Sequence, residues 1–215
     1  MKRFVVFLLV LLMVLAAVGC RERRTLPEDF PEEAITAKPV IYLYPEEEME
    51  VFVKLDYAGE LTSTYPAYEN GWTVTAQPDG TLTDETGREY YCLFWEGVSD
   101  TAYDFSEGFV VPGGETAEFL ENSLAQLGLT EKEANEFIIY WLSKMEHNAY
   151  NLISFQSEAY TENAELSITP APDSILRVFM AWRPLTEPVE TEPQTFESFE
   201  RTGFTVVEWG GAEIS

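Results

Sequence analysis

This chain is short of positive charge, of histidine and of cysteine. Thirteen Lys and Arg stand against 38 Asp and Glu, a formal charge of −25. Such a surface repels phosphate backbones, which argues against DNA or RNA as a partner. His147 is the one histidine. No acid is spaced to orient it, so it is a poor base for a nucleophile. Zinc sites built from His and Cys are excluded on the same count. The chain has no HExxH, no CxxC, no GxSxG and no phosphate-cradling GxxxxGK[ST], and no metal or cofactor is expected. Disorder is excluded too, because 46% of residues are hydrophobic and 14% aromatic.

What the chain does have begins at its N-terminus. Lys2 and Arg3 precede an unbroken apolar run from Phe4 to Val18. A bilayer core asks for roughly 20 such residues. The shorter run fits the apolar region of a secretory signal peptide. Ala16-Ala17-Val18-Gly19-Cys20 resembles a lipobox, with Ala17 where Leu is commoner. The resemblance implies cleavage before Cys20 and lipid on its sulfur, each buried methylene contributing about 0.8 kcal/mol of anchoring. An uncleaved anchor is the alternative, and Arg21, Arg23 and Arg24 favour it slightly. Residues 1–19 are expected to leave as a signal peptide. The mature chain then has 13 − 2 = 11 basic residues against 38 acids, a charge of −27. The expected location is the extracytoplasmic face of a cell membrane, with the membrane itself as the first partner.

Residues 20–37 follow as the lipidated cysteine and a tether rich in Pro and Glu, able to span about 50 Å at ~3.3 Å per residue. Residues 38–215 are read as a single globular domain. With Cys20 lipidated, Cys92 has no disulfide partner. It lies in the aromatic run "EYYCLFWEG" and is read as a buried, inert thiol.

Val40–Tyr44 is a compact β-prone run. Val51, Val53 and Leu55 alternate with Phe52, Lys54 and Asp56, and Trp72, Val74 and Ala76 alternate with polar neighbours, as half-buried strands do. Tyr91, Leu93 and Trp95 read as one face of a fourth strand. Leu120, Leu124 and Leu127 predict a helix over 115–127, closed by Gly128. Thr130 and Glu133 form a capping box for a second helix, with an apolar stripe of Ala134, Phe137, Ile138, Trp141, Leu142 and Met145 ending near Asn148. Strands are predicted again over 150–156, 165–169, 175–183 and 204–209, the last stopped by Gly210-Gly211. The implied class is α+β and β-rich: an antiparallel sheet or sandwich with a two-helix insertion on one side.

Five stretches, "KPVIYLYPE" (38–46), "TYPAYENGW" (64–72), "YYCLFWEG" (90–97), "FIIYWLSKMEHNAYN" (137–151) and "GFTVVEWGG" (203–211), resemble a family of bacterial proteins with no characterised function. The resemblance runs over nearly all of the chain after the tether. Cys92 stands where Tyr is usual and Ser143 where Pro is usual. The family implies a domain of specific shape, and no activity, cofactor or catalytic residue to carry over.

Chemistry must therefore come from carboxylates and aromatics. Two carboxylates about 5–10 Å apart can hydrolyse a glycoside without histidine or metal. Glu96, after Trp95, is the best candidate, with Asp104 and Glu46 as companions. The other reading of Glu96 is an acceptor of backbone hydrogen bonds. Trp72 and Trp95 are candidates for a sugar-stacking platform, although core packing is the default for tryptophan. Glu46, Glu47, Glu48 and Glu50 offer oxygens for calcium but lack an EF-hand spacing. Arg177, mid-strand among apolar residues, is expected to pair with a buried carboxylate. Two functions emerge: a non-catalytic binding module for an envelope protein or glycan, and a carboxylate-dependent glycan hydrolase. Two acids facing each other in an aromatic cleft would favour the hydrolase.

Overall fold

Every residue of β1 (Ala34–Tyr44) from Val40 to Leu43 is buried, although a strand has two faces. A seven-stranded sheet sandwiched between two other layers accounts for this. A computed structural model describes residues 34–214 of the chain. The expected signal peptide, Cys20 and most of the expected tether lie outside the described residues.

The strands that follow are β2 (Met49–Tyr57), β3 (Glu60–Tyr65), β4 (Trp72–Ala76), β5 (Leu82–Thr83), β6 (Glu89–Tyr90), β7 (Leu93–Ser99) and β8 (Phe109–Pro112). Helices α1 (Thr116–Leu127) and α2 (Glu131–Met145) come next. Then come β9 (Tyr150–Phe155), a short helix α3 (Ser157–Asn163), β10 (Ala164–Thr169), β11 (Ser174–Leu185) and β12 (Thr205–Glu213). The large sheet has seven strands in the order β3-β7-β1-β12-β11-β9-β8, and the small sheet five in the order β10-β2-β4-β5-β6. Strand pairing within both sheets is antiparallel, except that β11 runs parallel to β12. The predicted class is therefore the observed one, with that single parallel pair added.

Alternation assigns the layers. On one face of the large sheet Val40, Tyr42, Val178, Met180, Val207 and Trp209 meet Leu120, Leu124, Phe137 and Trp141 of the helices. On the other, Ile41, Leu43, Leu93, Trp95, Phe179 and Val206 meet Val51, Val53, Trp72 and Val74 of the small sheet. The period of two along each strand makes this division. The β2 pattern is as expected, with Phe52, Lys54 and Asp56 outside. The α2 cap is also present: Glu133 N–H donates to Thr130 Oγ1 at 3.4 Å, and Thr130 N–H donates to Glu133 Oε2 at 2.8 Å. Gly128 closes α1 at φ 100°, the left-handed conformation.

Three boundaries differ from expectation. Strand β1 begins at Ala34, so the last four tether positions belong to the sheet. Strand β12 continues through Gly210 and Gly211 to Glu213. These glycines are there for clearance: a Cβ on Gly211 would lie 2.7 Å from the Trp141 ring, and one on Gly210 3.0 Å from Pro39. Tyr91 precedes β7 and is 54% exposed, instead of sharing the core face of Leu93 and Trp95.

Candidate functional site

A cleft of about 570 Å3 opens where β1, β7 and α2 approach one another. Its walls are Tyr65, Tyr90, Tyr91, Phe94 and Tyr140, with Lys38 and Glu96 among them. Tyr65 is 49% exposed, so two of these rings, Tyr65 and Tyr91, present large areas to solvent. Tyr65 meets Tyr90 edge to face with centroids 5.4 Å apart, and the Arg88 guanidinium lies 5.8 and 5.7 Å from the two ring centres. The ammonium groups of Lys38 and Lys144 flank Tyr140 at 5.3 and 5.4 Å.

The local backbone is unusual. Lys38 has φ 57°, the one described non-glycine residue with positive φ. The pairing of β1 with both neighbours shifts register here, between Thr36 or Ala37 and Val40. This is a bulge in a central strand, with Pro39 packed on Gly210 of the next strand. The αL conformation carries a cost for lysine. One contact that holds it is the Lys38 N–H, which donates to Glu96 Oε1 at 3.2 Å. The same carboxylate acts on Tyr140: burial first, then the Glu96 charge, raises the phenol's pKa.

Glu96 is thus mid-strand in β7, half-buried, and accepting from a backbone N–H, as one of its two sequence readings anticipated. Its proposed companions are elsewhere. Glu46 is exposed in the turn after β1, eight residues beyond Lys38, or about 25 Å at ~3.3 Å per residue. Asp104 is exposed, and its backbone oxygen accepts from Ser154 Oγ at 3.5 Å beside β9. That strand lies four places from β7 in the sheet, about 19 Å at ~4.8 Å per strand. The Asp104 carboxylate accepts Ser106 N–H and Oγ–H, both at 2.8 Å, which hold its pKa below the usual range. The expected carboxylate pairs are therefore not assembled.

The tryptophan platform is also corrected. Trp72 and Trp95 are 3% and 0% exposed. Their N–H groups are spent internally, Trp72 on Pro66 O at 2.9 Å and Trp95 on Glu208 Oε1 at 3.1 Å. A ring buried on both faces cannot stack on a ligand. Glu46, Glu47, Glu48 and Glu50 are exposed around a turn, and among the described residues no group of three His, Cys, Asp or Glu is placed to hold a metal ion. His147 is exposed just past α2, 3.7 Å from Glu146. Cys92 is buried, and burial with the nearby Glu136 charge pushes its thiol up to about 12. Such a thiol holds little thiolate and is inert at neutral pH. Arg177 does find its buried carboxylate: Nε donates to Glu208 Oε2 at 2.6 Å.

Sequence reasoning missed Lys38, Tyr65, Tyr91 and Tyr140 as site residues. The Lys38-Pro39 pair directly ahead of the β-prone run Val40–Tyr44 is the available signal for the bulge.

A curated protein of Butyrivibrio fibrisolvens, "Uncharacterized protein in bglA 3'region", is 51% identical over 63 residues. The match covers 28% of this chain and 65% of that protein, so the chain spans just under two thirds of its relative's length. No family model matches the chain, and no solved structure matches it. The chain thus has an uncharacterised homologue over part of its length. Among the described residues no helix is long and apolar enough to cross a membrane.

Proposed function

We propose that this protein is a lipid-anchored module on the extracytoplasmic face of a bacterial cell membrane, and that its tyrosine cleft binds a glycan of the envelope. One contrast carries the reading. All five tryptophans are buried at 3% or less, while Tyr65 and Tyr91 stand about half exposed in the same cleft. Aromatic faces left open beside hydrogen-bonding hydroxyls suit the apolar face and polar rim of a sugar ring. Glu96 stabilises the bulge that shapes the cleft, and so acts as a positioning residue.

A glycan array and a partner pull-down with residues 26–215 test this. Retention of a glycan by wild type and its loss in Tyr65→Ala/Tyr91→Ala is the expected result. Capture of an envelope protein without any glycan would reassign the ligand. Hydrolysis of a captured glycan, abolished by Glu96→Gln with an unmoved thermal melt, would make the protein the alternative glycan hydrolase. The anchor has its own test. Cys20→Ser is expected to abolish labelling by radioactive palmitate and leave an unprocessed precursor, and equal labelling of both chains would remove the lipid.

A further inference from the structure

At the far edge of the large sheet from the tyrosine cleft, β8 has β9 on one side and no strand on the other. Backbone direction along it can be read from its ends. Gly113 N–H donates inward to Ala149 O at 3.3 Å, and Gly108 N–H donates outward to Glu192 O at 2.7 Å. Antiparallel pairing alternates inward and outward residues. Phe109 and Val111 therefore bond to β9, and Val110 directs its N–H and C=O away from the sheet.

The connection between β11 and β12 passes this edge and then leaves it. It pairs with β8's approach at Glu107 and Glu192. Further along, the Gln194 side chain takes both backbone groups of Phe155, accepting from its N–H at 2.7 Å and donating to its oxygen at 3.0 Å. The β9 edge beyond β8 is thus closed by a side-chain amide standing in for a strand. Beside Val110 nothing equivalent occurs among the described residues, and a groove of about 1020 Å3 opens instead. Phe109, Phe119 and Val189 give it an apolar lining, and Glu115, Glu118, Glu190 and Glu192 give it charge. No lysine or arginine lines it.

We propose that this groove docks an extended, lysine- or arginine-bearing segment of a partner protein, added as a strand to β8. Strand addition supplies main-chain affinity through Val110, and alternate side chains of the segment would lie along α1 and its acids. Charge selects the partner. Four carboxylates with no internal cation favour a basic segment, whereas a second copy of this chain, at −25, would be repelled. Pro112 lacks an N–H and ends the ladder, limiting the contact to a few residues.

The test uses the full-length chain and a fluorescent peptide of about eight residues, alternating lysine and valine, read by fluorescence anisotropy. Saturable binding is expected, weakening as salt rises, with no binding of the matched glutamate–valine peptide. Val110→Pro removes the outward N–H where no internal bond needs it, and should weaken binding about tenfold or more without moving the thermal melt. Combined Glu115→Gln, Glu118→Gln, Glu190→Gln and Glu192→Gln should weaken it similarly and flatten the salt dependence. Failure of wild type to bind overturns the proposal. So does a Val110→Pro chain that binds as tightly as wild type while the four-Gln variant does not, which would mean attraction by charge alone. Self-association of wild type that Val110→Pro abolishes would give the edge to a second copy and overturn the basic partner.

Discussion

The two faces of the seven-stranded sheet bury tryptophan in opposite ways. On the helix side Trp141, Trp182 and Trp209 have no hydrogen-bond partner for their indole N–H groups. They pack edge to face, Trp141 on Trp182 at 79° and Trp209 on Phe137 at 62°. On the sheet side Trp95 donates to Glu208, which also accepts from Arg177. The Arg177 guanidinium covers the Tyr160 ring at 4.8 Å, while its Nη2 and the Tyr160 hydroxyl lack partners. Burial disfavours the charge on Arg177, but Glu208 outweighs it and raises the arginine's pKa. One core is held by shape, the other around a buried charge whose halves need each other.

The largest expected effect is on the shape-held side. Trp141→Ala should cost about 3–5 kcal/mol, because a fully packed ring leaves a cavity. A urea midpoint equal to wild type would show that the helix layer contributes little. On the charged side, Glu208→Gln should cost about 3 kcal/mol by leaving Arg177 uncompensated. The double variant Arg177→Met/Glu208→Leu should recover most of that loss in the same urea titration. No recovery would mean the pair sets the fold and not merely its own balance.

A smaller effect lies at the junction of the helix layer with the β11–β12 connection. Burial works to raise the Glu133 pKa, but Arg201 and the Thr130 N–H together lower it below its ordinary value. Arg201 reaches Glu133 at 2.5 Å. A depressed carboxylate stabilises the fold fully above its unfolded pKa of about 4.5 and loses that contribution as pH falls through the folded value. Arg201→Ala should cost about 1–2 kcal/mol at neutral pH and flatten the loss of stability below pH 4.5. Thermal melts across pH 3–7, roughly, read both. The least effect on stability belongs to the open cleft. Tyr65→Ala and Tyr91→Ala should stay within about 0.5 kcal/mol of wild type by denaturant melt, since neither ring is core.

Local chemistry made the interior legible. The Thr130–Glu133 cap, the alternation in β2, the Trp141 stripe and the need of Arg177 for an acid each depend on residues near in sequence or on a single burial argument. Other elements were not legible. Strand β3 (ELTSTY) is polar and mostly exposed, β8 (FVVP) is an apolar run without alternation, and α3 (SEAYTEN) buries only Tyr160, so none carries an apolar period. Gly210-Gly211 reads as a stop in sequence because the neighbours that need their bareness, Pro39 for Gly210 and the Trp141 ring for Gly211, lie on other elements. The cleft was invisible for the same reason: Lys38, Tyr65, Tyr91 and Tyr140 meet only once strands β1, β3 and β7 pair and α2 packs over them. Glu46 and Asp104 group with Glu96 only by their aromatic neighbours in sequence, and the topology separates them.

Strand β12 has a consequence in time. It lies between β1 and β11, and without it the large sheet is two separate triplets, β3-β7-β1 and β11-β9-β8. Its pairing with β1 joins Tyr44 to Thr205, a loop of roughly 160 residues to close before any contact repays the closure. Hairpins and helices can form early, but the keystone arrives late, so folding should proceed on the millisecond-to-second scale of non-local sheets. Until β12 docks, the inward apolar faces of both triplets stay uncovered.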